Sequence, residues 1–437
     1  MRERSYRAWL LIILLIILAF NYVDRLALGL VLQNIKTDLH LSDTQLGLLT
    51  GFAFAVFYSV MGIPIARWAD RGNRVTIIAL TTALWSAMVA LSGSAASFTQ
   101  LLLIRVGVAI GEAGHVPPAH SLIATNFARA QRPSAVATYM LGGSFSVLIG
   151  YFGAGWLNEL YGWRMTFVLL GLPGLALAAV AKLVLREPRL SAASTTHIAP
   201  AAQPSMAEVC VTLWRIPTFR HLLFAFSMIF FFGFGLSQWL PAFFMRSHAM
   251  QTGELGTWFA LIFGMSGLCG TYIGGRLATR YAANDERLQL KVLAVLFGSL
   301  VFIRPITFLV PDHYLAFIAM IPTTLVIYVG DGPLFAVIQT LVPERMRAVS
   351  IALIYLFANL IGMGLGPLTV GALSDFLRPW AGEESLRYAL IAICPGYVWV
   401  TWYLWRASQT VTRDLKVVRG DCTASTREGV EVNLPAT

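Results

Sequence analysis

The chain has 437 residues, of which 57% are hydrophobic and 12% are charged. This charged share is about half of that in an average soluble protein, so the composition excludes an ordinary soluble enzyme or binding domain. The net charge of +10 does not indicate a nucleic-acid partner, because the basic residues form short clusters between apolar runs and no continuous stripe.

Apolar residues occur in runs long enough for a helix to cross about 30 Å of hydrocarbon. The first run, from Trp9 to about Gln33, lacks the small-residue cleavage site of a signal peptide and is predicted to be a membrane helix. We predict an all-α membrane protein with twelve transmembrane helices, numbered span 1 to span 12, at residues 9–33, 44–66, 75–95, 101–126, 134–158, 164–185, 220–245, 255–277, 290–310, 314–341, 349–375 and 386–406.

One long polar connection divides the spans into two sets of six. The predicted units are an N-terminal bundle at 1–185, a connection at 186–219, a C-terminal bundle at 220–406 and a tail at 407–437. If successive spans cross the membrane in opposite directions, both termini and the connection lie on the same side. That side holds 24 of the 32 Lys and Arg residues. The positive-inside rule then predicts that both termini are cytoplasmic. We expect a monomer in the plasma membrane, which is the inner membrane in a bacterium.

The connection is rich in Ala, Ser, Thr and Pro, which is typical of a flexible linker. Near its end, Ser205 and Glu208 have the spacing of a capping box. Apolar side chains then share one helical face, namely those of Met206, Val209, Cys210, Leu213 and Trp214. This pattern predicts a short helix on the inner membrane surface.

The two halves of the sequence resemble each other. A shift of about 215 residues aligns PAHSLIATNFARAQRPSAVA in span 4 and beyond with PLFAVIQTLVPERMRAVSIA in span 10 and beyond. The stretch ARWADR after span 2 and the stretch GRLATR after span 8 occupy equivalent places. Duplicated halves with a site at their interface are typical of secondary transporters, so we predict two pseudo-symmetric six-helix bundles.

Span 1 carries an acid and a base, Asp24 and Arg25, near its middle. One charge at the centre of a membrane helix costs roughly 2.5–3.5 kcal/mol on insertion scales, so both side chains are predicted to line the central cavity between the halves. Adjacent residues diverge by about 100° around a helix and can contact different neighbours. Glu112, near the middle of span 4, is the predicted partner of Arg25. A fixed ion pair that only joins helices is the alternative.

Asp24 and Glu112 are also the candidates for proton coupling. Contact with Arg25 favours a charged carboxylate, whereas loss of that contact in a buried site favours proton uptake. A carrier that makes and breaks the contact during transport would therefore couple to protons. His115 and His120 follow Glu112 by three and eight residues. We expect His115 to be a buried histidine that binds a carbonyl; sharing the proton of Glu112 is the alternative.

Further polar residues inside the spans are candidates for contact with the substrate. Arg105 and Arg304 lie toward the outer halves of their spans and could bind a phosphate or carboxylate group, with snorkelling to the lipid head groups as the alternative. Asp331 in span 10 could line the cavity or form a structural pair, and Gln238 lies in the phenylalanine-rich span 7. The candidate substrate-binding residues are Arg25, Arg105, Glu112, Gln238, Arg304 and Asp331.

Three motifs carry a family resemblance. The loop ARWADRGNR after span 2 resembles the signature of the major facilitator superfamily, although Ala66 and Asn73 stand where glycines are usual. NYVDR in span 1 and RVGVAIGEAGHVPPAHSLI in span 4 resemble the Spinster-like branch, which includes sphingosine-1-phosphate and lysophospholipid transporters; proton-coupled organic-anion symporters have similar motifs. The resemblance implies that Asp70, Arg71 and Arg74 form a latch that holds the outward-facing state, with plain topogenic charge as the alternative.

Motifs of common enzymes are missing from the sequence. None of the lysines follows a glycine in a phosphate-binding loop, GxSxG and HExxH do not occur, and the four cysteines are far apart. We therefore expect no catalytic residues, no metal and no cofactor other than a proton gradient. The predicted function is secondary transport of a lipid-like or amphiphilic anion by alternating access, coupled to protons. A proton symporter for a small organic anion such as a sugar acid is the alternative, and a membrane-embedded enzyme or receptor on this scaffold is a second one.

Overall fold

A computed structural model describes residues 3–188, 206–282, 285–343 and 346–428. These ranges are almost entirely helical and contain no strand. Nine stretches within them are long and apolar enough to cross a membrane. Two of the nine, Arg132–Val184 and Val349–Val417, each contain two successive spans, and span 4 consists of two shorter helices. The chain is therefore an all-α membrane protein, and its helices are consistent with twelve spans.

The N-terminal bundle contains spans 1 to 6. Its helices are Glu3–Leu39 (span 1), Asp43–Gly47, Leu48–Phe52 and Ala53–Arg71 (span 2), Arg74–Ser92 (span 3), Phe98–Glu112 and Val116–Asn126 (span 4), Arg132–Val147 and Leu148–Gly153 (span 5), and Ala154–Val184, which completes span 5 and forms span 6. Gly162, with φ of 76°, separates spans 5 and 6 in a conformation that only glycine adopts readily.

The C-terminal bundle contains spans 7 to 12. Its helices are Pro217–His248 (span 7), Thr252–Tyr281 (span 8), Glu286–Leu309 (span 9), His313–Leu341 (span 10), Arg347–Phe357, Ala358–Leu365 and Gly366–Ala381 (span 11), and Ser385–Ile393 and Tyr397–Glu428 (span 12). The segments 48–52, 148–153 and 358–365 have the wider π-helical winding. Such insertions are frequent at functional sites.

Several helices extend beyond the predicted apolar runs. Span 1 reaches Leu39, and the last helix continues to Glu428 through most of the predicted tail. Backbone hydrogen bonding continues into the polar ends of these helices, which a search for apolar runs does not detect. Span 4 is interrupted after Glu112, because Pro117 and Pro118 supply no N–H to the carbonyls four residues earlier.

A short helix is present at Met206–Arg215, where the sequence predicts one. Val209 and Leu213 are buried against the bundle, whereas Val211 and Trp214 are about half exposed. An exposed tryptophan beside apolar residues is typical of the membrane interface. The predicted cap residue Ser205 and the flexible part of the linker lie outside the described residues.

The two ends of the bundles are distinguished by which loops they carry. The first end, called the terminal face here, carries residues 71–74, 126–132, 184–188, 341–343 and 346–347. The second end, called the opposite face, carries residues 39–43, 158–164, 248–252 and 375–385.

Most contacts between the two halves are made by three pairs of spans, namely 1 with 7, 2 with 11 and 5 with 8. Glycines permit this close approach. A Cβ added to Gly51 in span 2 would lie 2.5 Å from the carbonyl oxygen of Gly364 in span 11. The contact between halves is therefore made partly by backbone, which suits surfaces that slide or rock against each other.

Candidate functional site

Two ion pairs join span 1 to span 4 inside the N-terminal bundle. The Arg105 guanidinium donates a hydrogen bond of 2.8 Å to the Asp24 carboxylate, and Nε of Arg25 donates one of 2.7 Å to Glu112. The side chains of adjacent residues diverge around a helix, so Asp24 and Arg25 reach different partners. The predicted contact between Arg25 and Glu112 is confirmed.

The Arg25–Glu112 pair lies among aromatic rings. The Glu112 side chain is fully buried, whereas that of Arg25 is 13% exposed. The ring centroids of Phe54, Tyr22 and Tyr58 lie 4.5, 4.9 and 5.0 Å from the Arg25 guanidinium carbon. Cation–π contacts stabilise a desolvated guanidinium by roughly 2 kcal/mol. Arg25 is thus held by rings and by one acid while part of it can still contact an anion.

The Asp24–Arg105 pair is more deeply buried. Both residues are 2% exposed, and Asp24 borders a small cavity together with Trp85 and Ser86 of span 3. We predicted that Arg105 contacts substrate and that Asp24 lines the central cavity; in this conformation Arg105 and Asp24 are hydrogen-bond partners of each other. Snorkelling of Arg105 to the head groups, the alternative, is wrong. The sequence did not predict this pairing, because helical periodicity gives the position of a side chain along the membrane normal but not the neighbouring helix that it contacts.

Each of the two acids has one carboxylate oxygen that accepts no hydrogen bond from the described residues. Oδ1 of Asp24 and Oε1 of Glu112 are buried, and neither has a hydrogen-bond partner among the described residues. A buried acceptor without a partner is costly when the group is charged. Each acid can therefore take up a proton at this oxygen without first losing a hydrogen bond.

Arg304 and Gln238 lie on the other side of the interface, in the C-terminal bundle. Arg304 is 4% exposed and donates a hydrogen bond of 2.8 Å to the Tyr397 hydroxyl, so it does not snorkel to the head groups. Gln238 approaches span 1, where its Oε1 would clash with a Cβ added to Gly29. Gly29 lies one helical turn after Arg25, so Gln238 is close to the partly exposed cation.

An apolar cleft with a volume of about 450 Å³ lies between spans 5 and 8. It is called the lateral cleft here, and its lining includes Leu141, Phe145, Leu148, Leu261, Phe263, Gly264, Leu268 and Tyr328. Its leucines are about half exposed or more, so they are free to contact an alkyl chain.

Asp331 lies in span 10, three residues after Tyr328, which lines the lateral cleft. It is only partly buried.

At the opposite face, Asp43 binds groups from both halves. It accepts hydrogen bonds from Lys36 of span 1, from both terminal nitrogens of Arg246 in span 7 at 2.7 and 2.8 Å, and from the Ser374 hydroxyl of span 11 at 2.6 Å. These four residues are called the Asp43 cluster. Asp43 is 1% exposed, and a bidentate Arg–carboxylate bond is among the strongest polar contacts in proteins. The cluster holds the halves together at this face.

Two carboxylates at the same face cap helices that belong to the other half. Asp375 of span 11 accepts from the backbone N–H groups of Asp43 and Thr44 at the start of span 2, at 3.0 and 2.7 Å. Glu159 at the end of span 5 accepts from the backbone N–H of Gly253 at the start of span 8, at 2.7 Å. Acids at helix N-termini are stabilising because the first N–H groups have no helical partner. The two caps occupy corresponding places in the repeat.

The predicted latch at the terminal face is only partly described. The Asp70 side chain lies outside the described residues, and Arg71 is exposed. Arg74 is fully buried and binds Glu187 at the end of span 6, the Ser121 hydroxyl at 3.0 Å and the Thr125 hydroxyl at 2.8 Å. Arg74 thus joins spans 3, 4 and 6 within one bundle.

Sequence reasoning missed the aromatic partners of Arg25 and the acid partner of Arg74. Phe54 and Tyr58 are four residues apart in span 2 and share a helical face, which was a usable signal. Glu187 gave no such signal, because it is 113 residues from Arg74. Asp43 gave none either, because a charge near a predicted span end is normally solvated.

Two six-helix halves, close backbone contact between them and paired charges at mid-membrane define a secondary transporter. The chain belongs to the major facilitator superfamily, whose family model matches residues 14–367. It is a transporter of the Spinster-like type and not an enzyme.

Known relatives differ in their described activities. An MFS-type efflux pump of Mycolicibacterium smegmatis is 35% identical, with 95% of this chain and 96% of that protein covered. A probable L-galactonate transporter of Escherichia coli is 25% identical, with 90% and 87% covered. The crystal structure of a bacterial homolog to the human lysosomal transporter Spinster, in an inward-facing and unoccupied conformation, matches with a TM-score of 0.83 at 29% identity and covers 94% of this chain and 98% of that one.

Proposed function

We propose that this transporter moves a lipid-like or amphiphilic anion, of the sphingosine-1-phosphate or lysophospholipid type, by alternating access. The lateral cleft carries the proposal: its volume of about 450 Å³ and its apolar lining suit an alkyl chain that enters from the membrane. Arg25, held among rings and 13% exposed, suits the anionic head group. The resemblance of the span 1 and span 4 motifs to the Spinster-like branch supports the same substrate class.

The proposed orientation has both termini in the cytoplasm of a cell whose plasma membrane holds the protein as a monomer. The excess of Lys and Arg at the terminal face supports this orientation. The Asp43 cluster and the two caps would then close the outer side, so the conformation is inward-facing. The inward-facing conformation of the similar Spinster homolog supports this assignment.

Filling the lateral cleft tests the substrate class. A Cβ added to Gly264 meets nothing nearer than 3.9 Å, so Gly264→Leu should fold and occupy the cleft. Exclusion of two methylene groups at roughly 0.8 kcal/mol each should lower the uptake of lysophosphatidylglycerol into proteoliposomes about tenfold. Gly275→Leu is the control, because Gly275 lies in the same span and also has open space around it.

The competing function is symport of a small organic anion such as a sugar acid, and the similarity to the L-galactonate transporter favours it. Under this alternative, Gly264→Leu leaves the uptake of a labelled hexuronate unchanged, and lysophosphatidylglycerol is not accumulated by any variant. Accumulation of the hexuronate alone by the unaltered protein would therefore overturn the amphiphile proposal.

We further propose that transport is coupled to protons through Asp24 and Glu112. Each acid has one buried oxygen available for a proton, and each is bound to an arginine in the present conformation. Charging Glu112 is favourable only while Arg25 stays near it. Binding of an anionic substrate by Arg25 would weaken that contact and favour protonation of Glu112, so substrate and proton would be taken up together.

Replacing the acids tests proton coupling. Asp24→Asn and Glu112→Gln should abolish accumulation driven by an imposed pH gradient, because an amide cannot bind and release the proton. Exchange of substrate at equal pH on both sides should persist in Glu112→Gln, since it needs no net proton movement. Asp24→Asn leaves Arg105 buried without its partner, so exchange is compared in the double variant Asp24→Asn/Arg105→Gln. Unchanged gradient-driven accumulation in both variants would show that neither acid couples transport to protons.

The latch also stays a proposal. Asp70 and Arg71 would hold the outward-facing state by contact with the C-terminal half when the terminal face closes. The network that Arg74 forms with Glu187, Ser121 and Thr125 supports it, because it fixes the loop after span 2 to the rest of its bundle.

A further inference from the structure

His115 is a buried histidine that the proposed transport cycle does not yet use. It is fully buried, and neither ring nitrogen has a hydrogen-bond partner among the described residues. The expected carbonyl contact, which would have made it purely structural, is therefore wrong. Burial of an imidazole whose two nitrogens form no hydrogen bond lowers the stability of a protein, so such a residue calls for a functional explanation.

The break in span 4 sets the position of His115. Gly111 and Gly114 pack directly against Trp85 and Thr81 of span 3, where a Cβ on either glycine would clash. The helix stops at Glu112 and restarts at Val116. His115 is thereby turned into the bundle interior, with its ring centroid 6.1 Å from that of Trp85.

Two further polar rings extend from His115 toward the terminal face. The ring centroids of His115 and Tyr139 of span 5 are 6.0 Å apart, and those of Tyr139 and His120 are 5.3 Å apart. Tyr139 is fully buried, and its hydroxyl also has no partner among the described residues. His120 is only partly buried. It lies in the second helix of span 4, which begins at Val116 and leads to the terminal face.

We propose that His115, Tyr139 and His120 form a relay that carries protons between Glu112 and the terminal face. The inference rests on the proposed proton coupling and adds the route that the proton takes. Glu112 is fully buried and needs such a route whenever the central cavity does not reach it. The three groups lead from this buried acid to a partly exposed imidazole.

Each relay group can pass a proton without a lasting change in its own charge. An imidazole accepts a proton on one nitrogen and releases one from the other, and the Tyr139 hydroxyl accepts on oxygen while it releases its own hydrogen. Ring centroids 5 to 6 Å apart put the rings in contact, so a small rotation of one side chain can bring its polar atom to the next. The proton that enters at His120 is matched by one delivered to Glu112.

Titratable groups from the neighbouring spans lie near this route, namely Tyr22 of span 1 and Tyr58 of span 2 beside Tyr139. Span 3 contributes the uncharged edge of Trp85 beside His115.

The test compares His115→Gln, Tyr139→Phe and His120→Gln in proteoliposomes with lysophosphatidylglycerol as the probe. Each variant should lower accumulation driven by a pH gradient about tenfold or more and leave exchange at equal pH within about twofold, since exchange needs no proton route. The matched control is His221→Gln with Tyr403→Phe. These two rings, 6.2 Å apart, form a similar pair in the C-terminal bundle, far from Glu112.

The outcomes separate the relay from the coupling proposal. Normal gradient-driven accumulation in the relay variants, with accumulation abolished in Glu112→Gln, overturns the relay alone. Normal accumulation in Glu112→Gln and Asp24→Asn overturns the coupling on which it rests. Equal loss of exchange and accumulation in the relay variants, or equal loss in the control pair, shows a structural role and also overturns the relay.

Discussion

Asp43→Asn is expected to open the opposite face. The amide cannot form the charge-assisted bonds that the carboxylate forms with Arg246 and Lys36, and it leaves a buried guanidinium without its counter-ion. Loss of one partner of a buried, hydrogen-bonded charge pair costs roughly 2–5 kcal/mol, so the ratio of open to closed molecules should rise about 30-fold or more. Distances between spin labels at Ser94 and Glu383, one in each half, report the change.

The control for this experiment is Asp38→Asn. Asp38 pairs with Arg164 at the same face, but both residues belong to the N-terminal bundle and are nearly half exposed. Breaking this pair should leave the label distances unchanged. An unchanged distance distribution in Asp43→Asn would mean that the Asp43 cluster does not determine which face is closed.

Arg105→Gln is expected to destabilise the N-terminal bundle strongly. It leaves Asp24 charged, 2% exposed and without a cation, and removal of one member of a buried pair typically costs about 3–5 kcal/mol. The double variant Asp24→Asn/Arg105→Gln has no unpaired charge and should recover most of that loss. The free energy of unfolding in mixed micelles measures both effects.

An exposed ion pair provides the comparison. The side chains of Arg164 and Asp38 are 43% and 45% exposed, so Arg164→Gln should cost at most about 1 kcal/mol. If Arg105→Gln cost no more than this, or if the double variant were less stable than the single one, the buried pair would not be the stabilising element described here.

The fold could be predicted to a large extent because membrane helices have a simple signature. Runs of apolar residues give the number and order of the spans, and the internal repeat gives two halves. The helix ends at Leu39 and Glu428 were missed, because polar residues continue a helix beyond the hydrocarbon without any apolar signal. The interruption after Glu112 was also missed, although Pro117 and Pro118 were visible in the sequence.

The candidate site could be predicted only where a charge had few possible partners. Glu112 was the one acid near the middle of span 4, so its pairing with Arg25 followed from the cost of burial. The pairing of Arg105 with Asp24 was not predicted, because the rotation of each helix about its axis depends on packing with several neighbours. The contact of Asp43 with Ser374 joins residues 331 positions apart, and no local pattern indicates such a contact.

The caps that Asp375 and Glu159 place on spans 2 and 8 have a mechanical consequence. One cap lies where span 2 meets span 11, the other lies where span 5 meets span 8, and each binds the first turn of a helix to the other half. A small tilt that broke one of these contacts would still be opposed by the other. The two contacts should therefore break together, in a single cooperative step. Partly open forms would then be rare, which protects the cell against leakage of ions through a carrier caught between its two states.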